Sequence, residues 1–461
     1  MQIAGLDIAI IVIYLLSILG FGLFISRKED TDGFFVNNRK TKLFLLIFTS
    51  LSTSVGAGTV LGVASAAYTT GISFALSFIV MSALGWWLIG YLAPRIKVWA
   101  DRNKAYTLGD FWESRFSHRT RIIGGAVTLL SFFFLTAIQF VAFARLIEVV
   151  TNVNFYTALV ATALVTIVYT VLAGIKGDFY TDAIQFFVMF PVFIFLLVKG
   201  FSIISLGDLF SSVPPEFLSP YNFAGPVFFY ASVILGFALL VTSMDVWQRI
   251  FAANSAKTAR MAFYLTGVLK VIVISASMII GFMALRLVPG VEADSAIFAL
   301  MAKILPTGLL GLGFASIFAI LMSTVDSMIM VGSATLTKDF YLVHHPQTDA
   351  KKTLRIGRLT ALLFGLIGLM VAFAIPSIVR LSVTSVQMLL IFAPAILGGL
   401  LWKRVNEKAA FWSILLGFIA TLVSLPFIPN YAFLPGLIVC SVTFFFFVFK
   451  NKQNSLITPT T

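Results

Sequence analysis

The chain has 461 residues, 59% of them hydrophobic and 11% charged, with 48 Phe, a mean hydropathy of +1.01 and a formal net charge of +13. That much apolar surface cannot be buried in one soluble core, so the composition excludes a soluble globular protein and leaves an all-α chain crossing a membrane many times. The single cysteine, Cys440, excludes disulfides within the chain and thiolate metal clusters.

A spanning helix takes about 20 apolar residues. The apolar runs predict about thirteen spans, at 5–25, 43–68, 72–93, 122–149, 154–173, 179–206, 225–248, 259–288, 306–335, 356–375, 377–401, 409–428 and 431–449. The first lacks a preceding Lys or Arg and a following small-residue cleavage site, so it is expected to stay as a lead span. Short connections leave no room for a soluble domain, and residues 1–461 read as one transmembrane unit. The basic residues fall mainly in alternate connections, among them Arg27, Lys28, Arg95, Arg121, Arg249, Lys257, Lys338, Arg358, Lys403, Arg404 and Lys450. Their placement makes the net charge topological and disfavours a nucleic-acid partner. It predicts a cell-membrane protein with its N-terminus outside and its C-terminus in the cytoplasm.

With the lead span set aside, the next ten spans divide into five and five of opposite orientation, about 43–206 and 225–401, followed by tail spans at 409–449. Such an arrangement suggests an inverted repeat around a midplane site. The first core span is soft where it should be firm. Its centre reads Ser50-Leu-Ser-Thr-Ser-Val-Gly56-Ala-Gly58-Thr59-Val-Leu-Gly62, and two glycines within three residues weaken a helix where hydrocarbon offers freed carbonyls no partner. A break survives there if it lines a cavity, where carbonyls and hydroxyls are hard ligands for a small cation. Alternatively, the small residues only let an unbroken helix pack closely.

Intramembrane acids come next. Asp182 sits early in the fifth core span and shares a face with Gln185, while Asp326 forms one stripe with Ser323 and Ser327, with Thr324 beside it. Hydroxyls and carboxylates on one buried face suit a hard cation such as sodium. Asp182 also fits a wetted helix start. Lys270, about ten residues into the seventh core span, is expected to snorkel to the cytoplasmic surface; the other reading makes it partner to an intramembrane carboxylate.

These residues resemble the sodium:solute symporter family, which includes proline, sodium/galactose and sialic acid symporters. The carriers are the broken Ser52–Gly62 segment, Gly174-Ile-Lys-Gly-Asp-Phe-Tyr-Thr-Asp182-Ala-Ile-Gln185, Gln248-Arg249, and Phe314 to Thr324 with Lys338-Asp339-Phe-Tyr341. The resemblance implies a leucine-transporter-like fold and alternating access. It implies sodium held by the carbonyls of Ser52, Val55 and Ile320 and the hydroxyls of Ser323 and Thr324. Members with a second sodium site use the positions of Asp182, Ser323, Asp326 and Ser327. Asp326 stands where several relatives have a small or hydroxyl residue, which leaves sodium or a proton open there. The third core span lacks the embedded arginine of the sialic acid branch, so that solute is disfavoured. On the implied fold, the solute pocket would be lined by Gly56, Thr59, Phe74, Phe78, Gln139, Phe237 and Leu240; Gln139 equally suits an interhelical hydrogen bond.

The reading is a sodium-coupled symporter importing a small organic solute such as an amino acid or carboxylate. Its partners are sodium, the solute and the lipid bilayer, with no organic cofactor and protein partners open. The alternative is a proton-coupled carrier or non-transporting sensor of the same fold. An enzyme is not expected: no nucleophile–base pair or phosphate loop stands out, and His118, His344 and His345 all fall in predicted loops.

Overall fold

The computed structural model describes residues 4–26, 30–151, 153–211, 213–402, 405–429 and 431–457. Arg27, Lys28, Lys403 and Arg404, counted above among the basic connecting residues, lie outside the described residues.

The principal helices are α1 (Gly5–Ser26), α2 (Leu43–Ser54), α3 (Val63–Thr70), α4 (Ile72–Asn103), α5 (Leu108–Arg115), α6 (His118–Thr151), α7 (Phe155–Ile203) and α8 (Gly225–Thr242). They continue with α9 (Met244–Ala252), α10 (Ala256–Leu287), α11 (Leu309–Ala334), α12 (Ala350–Ala374), α13 (Ile378–Leu390), α14 (Ala393–Leu401), α15 (Glu407–Ser424) and α16 (Phe433–Ile457). Among the described residues, eleven helices are individually long and apolar enough to cross a membrane, and one bent pair makes up to twelve spans. The pair is Leu43–Ser54 with Gly58–Thr70, bent by 59°.

One of those helices counts twice. At 49 residues, α7 is far longer than a bilayer is thick. It is interrupted at Gly174, where φ is 59° and ψ −176°, a backbone conformation that favours glycine. The two lengths on either side match the separate spans expected at 154–173 and 179–206. Among the described residues, dividing α7 there would add one span to the twelve counted above.

Burial tracks position in the bundle. The outer helices turn apolar side chains outward: Leu16 of α1, Val168 of α7 and Phe446 of α16 are all exposed, as suits a surface facing lipid. By contrast α11 is buried from Gly313 to Ala334, because α1, α2, α6, α7 and α12 all pack on it. Every polar group on α11 must therefore find a partner inside the protein.

A second break was not foreseen. The span expected at 225–248 divides at Ser243, whose φ of −89° and ψ of 119° are extended, into α8 and α9. The Trp247 indole N–H returns to the Val241 carbonyl at 2.7 Å and satisfies one group that the break frees. α5 is built by a Thr107/Asp110 capping box and buries Leu108, Phe111 and Trp112.

Candidate functional site

The α2–α3 break lies against α11. Val55 ends α2 with non-helical dihedrals, and residues 58–62 form a wide π turn before α3 begins. Two carbonyls at the end of α2, those of Ser52 and Thr53, meet hydroxyls from α11 here. The Ser323 hydroxyl lies 3.1 Å from the Ser52 carbonyl and 3.0 Å from that of Ile320. The Thr324 hydroxyl lies 3.1 Å from the carbonyls of both Thr53 and Ile320. Each hydroxyl has one hydrogen and two carbonyls to serve, so the cluster holds more oxygen lone pairs than hydrogens. A buried group of hard oxygens with that excess suits a monovalent cation.

The structure thus brings together Ser52, Ile320, Ser323 and Thr324. Val55 and Ile320 also share the wall of an apolar cavity of about 60 Å³, with Met189, Phe193 and Val273. Gly56 is held small by the same contact: a Cβ there would stand 2.8 Å from the Thr324 hydroxyl oxygen.

The Ser54 carbonyl accepts from the Thr59 hydroxyl at 3.0 Å and from the Lys270 ammonium at 2.8 Å. Lys270 is buried, with its ammonium 5.9 Å from the Phe78 ring centre. The expectation that it snorkels to the surface is corrected by this contact: a freed backbone carbonyl offers the ammonium a partner inside the bundle. Phe78 stacks on Phe74 at 5.5 Å, and the Gln139 amide oxygen approaches the Ala57 N–H at 3.5 Å. Gly56, Thr59, Phe78 and Gln139 therefore gather at the break, with Phe74 one ring away. Two expected lining residues are placed elsewhere. Leu240 packs over Gly85 of α4, and Phe237 is exposed.

One turn toward the basic end lies an ionic cluster. Asp182 Oδ2 accepts from Thr49 at 2.5 Å and from Thr53 at 3.2 Å. Asp178, passed over in the sequence, accepts from Ser327 at 2.9 Å. Between them stands Arg249, only 2% exposed, its Nη2 atom 3.5 Å from Asp182 and 3.9 Å from Asp178. The same nitrogen donates to Ser327 at 2.7 Å and to the Thr53 hydroxyl. Arg249 was read as a loop charge; the Ser243 break turns α9 so that it enters the bundle instead. Its guanidinium supplies the positive charge that a bound cation was expected to bring to Asp182 and Ser327. Asp326 turns away from this pair and accepts from Thr170 at 2.6 Å. Asp326 Oδ2, both Gln185 amide atoms and the Tyr14 hydroxyl have no hydrogen-bond partner among the described residues.

The two ends of the bundle differ. At the basic end, Arg121 of α6 binds Asp339 at 2.9 Å, Asp110 at 3.1 Å and Glu113. Beside it the Tyr106 hydroxyl bonds Asp32, and the Lys338 ammonium sits 3.7 Å over the Tyr106 ring. These contacts close that end. At the opposite end a cavity of about 160 Å³ opens between Val141, Arg145, Glu148, Glu292, Asp294 and Phe298.

Two helices broken at depth and hard oxygens crowded at one break fit an ion-coupled secondary transporter. The chain belongs to the sodium:solute symporter family, whose model it matches over residues 34–417. It is 25% identical over 429 residues to the sodium/pantothenate symporter of Haemophilus influenzae (strain ATCC 51907 / DSM 11121 / KW20 / Rd), covering 88% of each chain. It is 24% identical over 465 residues to the sodium/proline symporter of Escherichia coli (strain K12), covering 95% of this chain and 91% of the other. A solved sodium-coupled sialic acid symporter shares the fold at a TM-score of 0.83 and 18% identity, over 100% of this chain and 99% of that one. The protein is a multi-pass membrane transporter with a leucine-transporter-like fold, and it couples sodium to the symport of a small solute.

Proposed function

We propose that this symporter imports a small carboxylate-bearing solute, driven by one sodium ion held by the carbonyls of Ser52, Val55 and Ile320 and the hydroxyls of Ser323 and Thr324. The observation that carries the solute class is the Lys270 ammonium at the Ser54 carbonyl. It is a buried cation beside the break, flanked by Phe78, with Gly56, Thr59 and Gln139 close by. An anionic group entering from the open end would find there a charge already stripped of water. Sodium bound across α2 and α11 would order the break first, and the solute would then favour closure of the outer end.

The possible second cation site at Asp182, Asp326 and Ser327 is read differently. Arg249 takes the place of a bound ion between Asp182 and Ser327, so coupling rests on the first site alone. The basic, closed end faces the cytoplasm of a cell membrane, with the N-terminus outside. Residues 1–461 act as one domain, its two five-helix repeats at about 43–206 and 225–401 flanked by the lead span and tail spans.

Uptake into proteoliposomes under an inward sodium gradient, across a panel of carboxylates, amino acids and sugars, tests this reading. A carboxylate taken up only with sodium, and not by Lys270→Met, is the expected result. Uptake that proceeds equally without sodium would contradict it.

A further inference from the structure

The lead helix α1 lies outside the ten core helices, yet its buried face runs along the helix that carries the sodium-binding hydroxyls. Asp7, Ile11, Tyr14 and Ile18 recur at helical spacing; Asp7, Ile11 and Ile18 are buried, and α1 packs on α7 and α11. Asp7 is 1% exposed, and its Oδ1 atom accepts from the backbone N–H groups of Gly308 and Gly311, both at 2.7 Å. These belong to the first turn of α11, whose N-cap Gly308 has no side chain to serve them. Asp7 thus does from another helix what an N-cap side chain does from within. Its carboxylate also stands at the positive end of the α11 dipole. The approach is close: a Cβ on Gly311 would stand 2.6 Å from the Asp7 Cα.

We propose that the lead helix is a working part of the sodium site, with Asp7 as the positioning residue that fixes the axial position of α11. Gly311 stands about 18 Å along the helix from Ser323. A slip of α11 would carry the Ser323 and Thr324 hydroxyls away from the Ser52 and Thr53 carbonyls together, since all four meet across one helix pair. Farther along α1, Ile11 and Ile18 are buried as well, so α1 holds to the bundle at more than one depth.

The inference rests on the first-site reading above, and sodium-induced thermal stabilisation of the purified protein, with choline as control ion, tests it without a solute. Asp7→Ala should raise the sodium concentration for half-maximal stabilisation about tenfold. Asp7→Asn keeps an acceptor oxygen and should stay within about twofold of wild type. Leu16→Ala, on the exposed face of α1, should leave sodium half-saturation unchanged. If Asp7→Ala does not fold, Gly311→Ala, which pushes α1 and α11 apart, should show the same weakening. Wild-type half-saturation in Asp7→Ala, or in Gly311→Ala where that variant replaces it, would overturn the proposal. Absence of sodium stabilisation in the wild type would count against the first-site reading instead.

Discussion

Lys270 donates its ammonium to the Ser54 carbonyl at 2.8 Å, inside the bundle and beside the break in the first core span. The carbonyl keeps the Thr59 hydroxyl at 3.0 Å when the ammonium is removed, so what is lost is the buried positive charge beside the break. Lys270→Met should therefore insert and fold but lose carboxylate uptake by tenfold or more, as fits the loss of a hydrogen bond to a charged group worth about 1.5–3 kcal/mol. Sodium-induced stabilisation should persist, because Ser323 and Thr324 do not touch Lys270. Uptake near wild type in Lys270→Met would return the residue to a surface-anchoring role.

Gly56 and Gly58 stand two residues apart and should respond in opposite ways. A methyl at Gly56 meets the Thr324 hydroxyl oxygen at 2.8 Å and its methyl carbon at 3.1 Å, whereas one at Gly58 meets nothing within 4 Å. Gly56→Ala should weaken sodium binding at least tenfold, and Gly58→Ala should leave it nearly unchanged. Sodium titrations of the two purified variants decide it; equal affinities would mean that the break is not packed against the ion site.

Arg249 holds two carboxylates at once. Its removal leaves Asp178 and Asp182 buried without compensation, a change that costs about 3–5 kcal/mol. Arg249→Met should lower the thermal midpoint sharply, and adding Asp182→Asn should restore part of the loss because one stranded charge is gone. Thermal unfolding in detergent measures both. A double variant no more stable than Arg249→Met would separate Arg249 from Asp182.

How far the site could be read from sequence depended on whether its cause was local. The first break announces itself in Gly56 and Gly58, and the hydroxyl stripe on α11 follows from helical spacing alone. The Ser243 break has no glycine or proline to mark it, since Val-Thr-Ser-Met is an ordinary apolar run. Its cause is the packing of α9 beneath the core. Missing that break also hid Arg249, whose basic charge at a span end reads like any other topological residue. Asp178, one turn before Asp182, looks like a helix-start acid until Ser327 and Arg249 are seen to enclose it. Lys270 misled for a related reason: a long basic side chain in a span normally reaches water, and only the freed carbonyl of Ser54, on a distant segment, keeps it inside.

At the closed end, Arg121 is shared among Asp339, Asp110 and Glu113. Arg121→Gln removes the one cation that gathers these three acids and should loosen the segment around α5. Hydrogen exchange of residues 106–116 should become faster, while the core of α11 stays protected. Unchanged exchange in that segment would show that apolar packing by Phe111 and Trp112 closes the end without the ion pairs.

The central claim is that sodium binds where α2 breaks against α11, and direct binding of radiolabelled sodium to the purified protein tests it. Ser323→Ala and Thr324→Ala each delete one hydroxyl ligand, and each should raise the sodium dissociation constant at least tenfold. Ser316→Ala, on the same helix but with its hydroxyl bonded to the Gly313 carbonyl at 2.6 Å, should bind sodium like wild type. Wild-type affinity in both Ser323→Ala and Thr324→Ala would place the ion elsewhere and contradict the account.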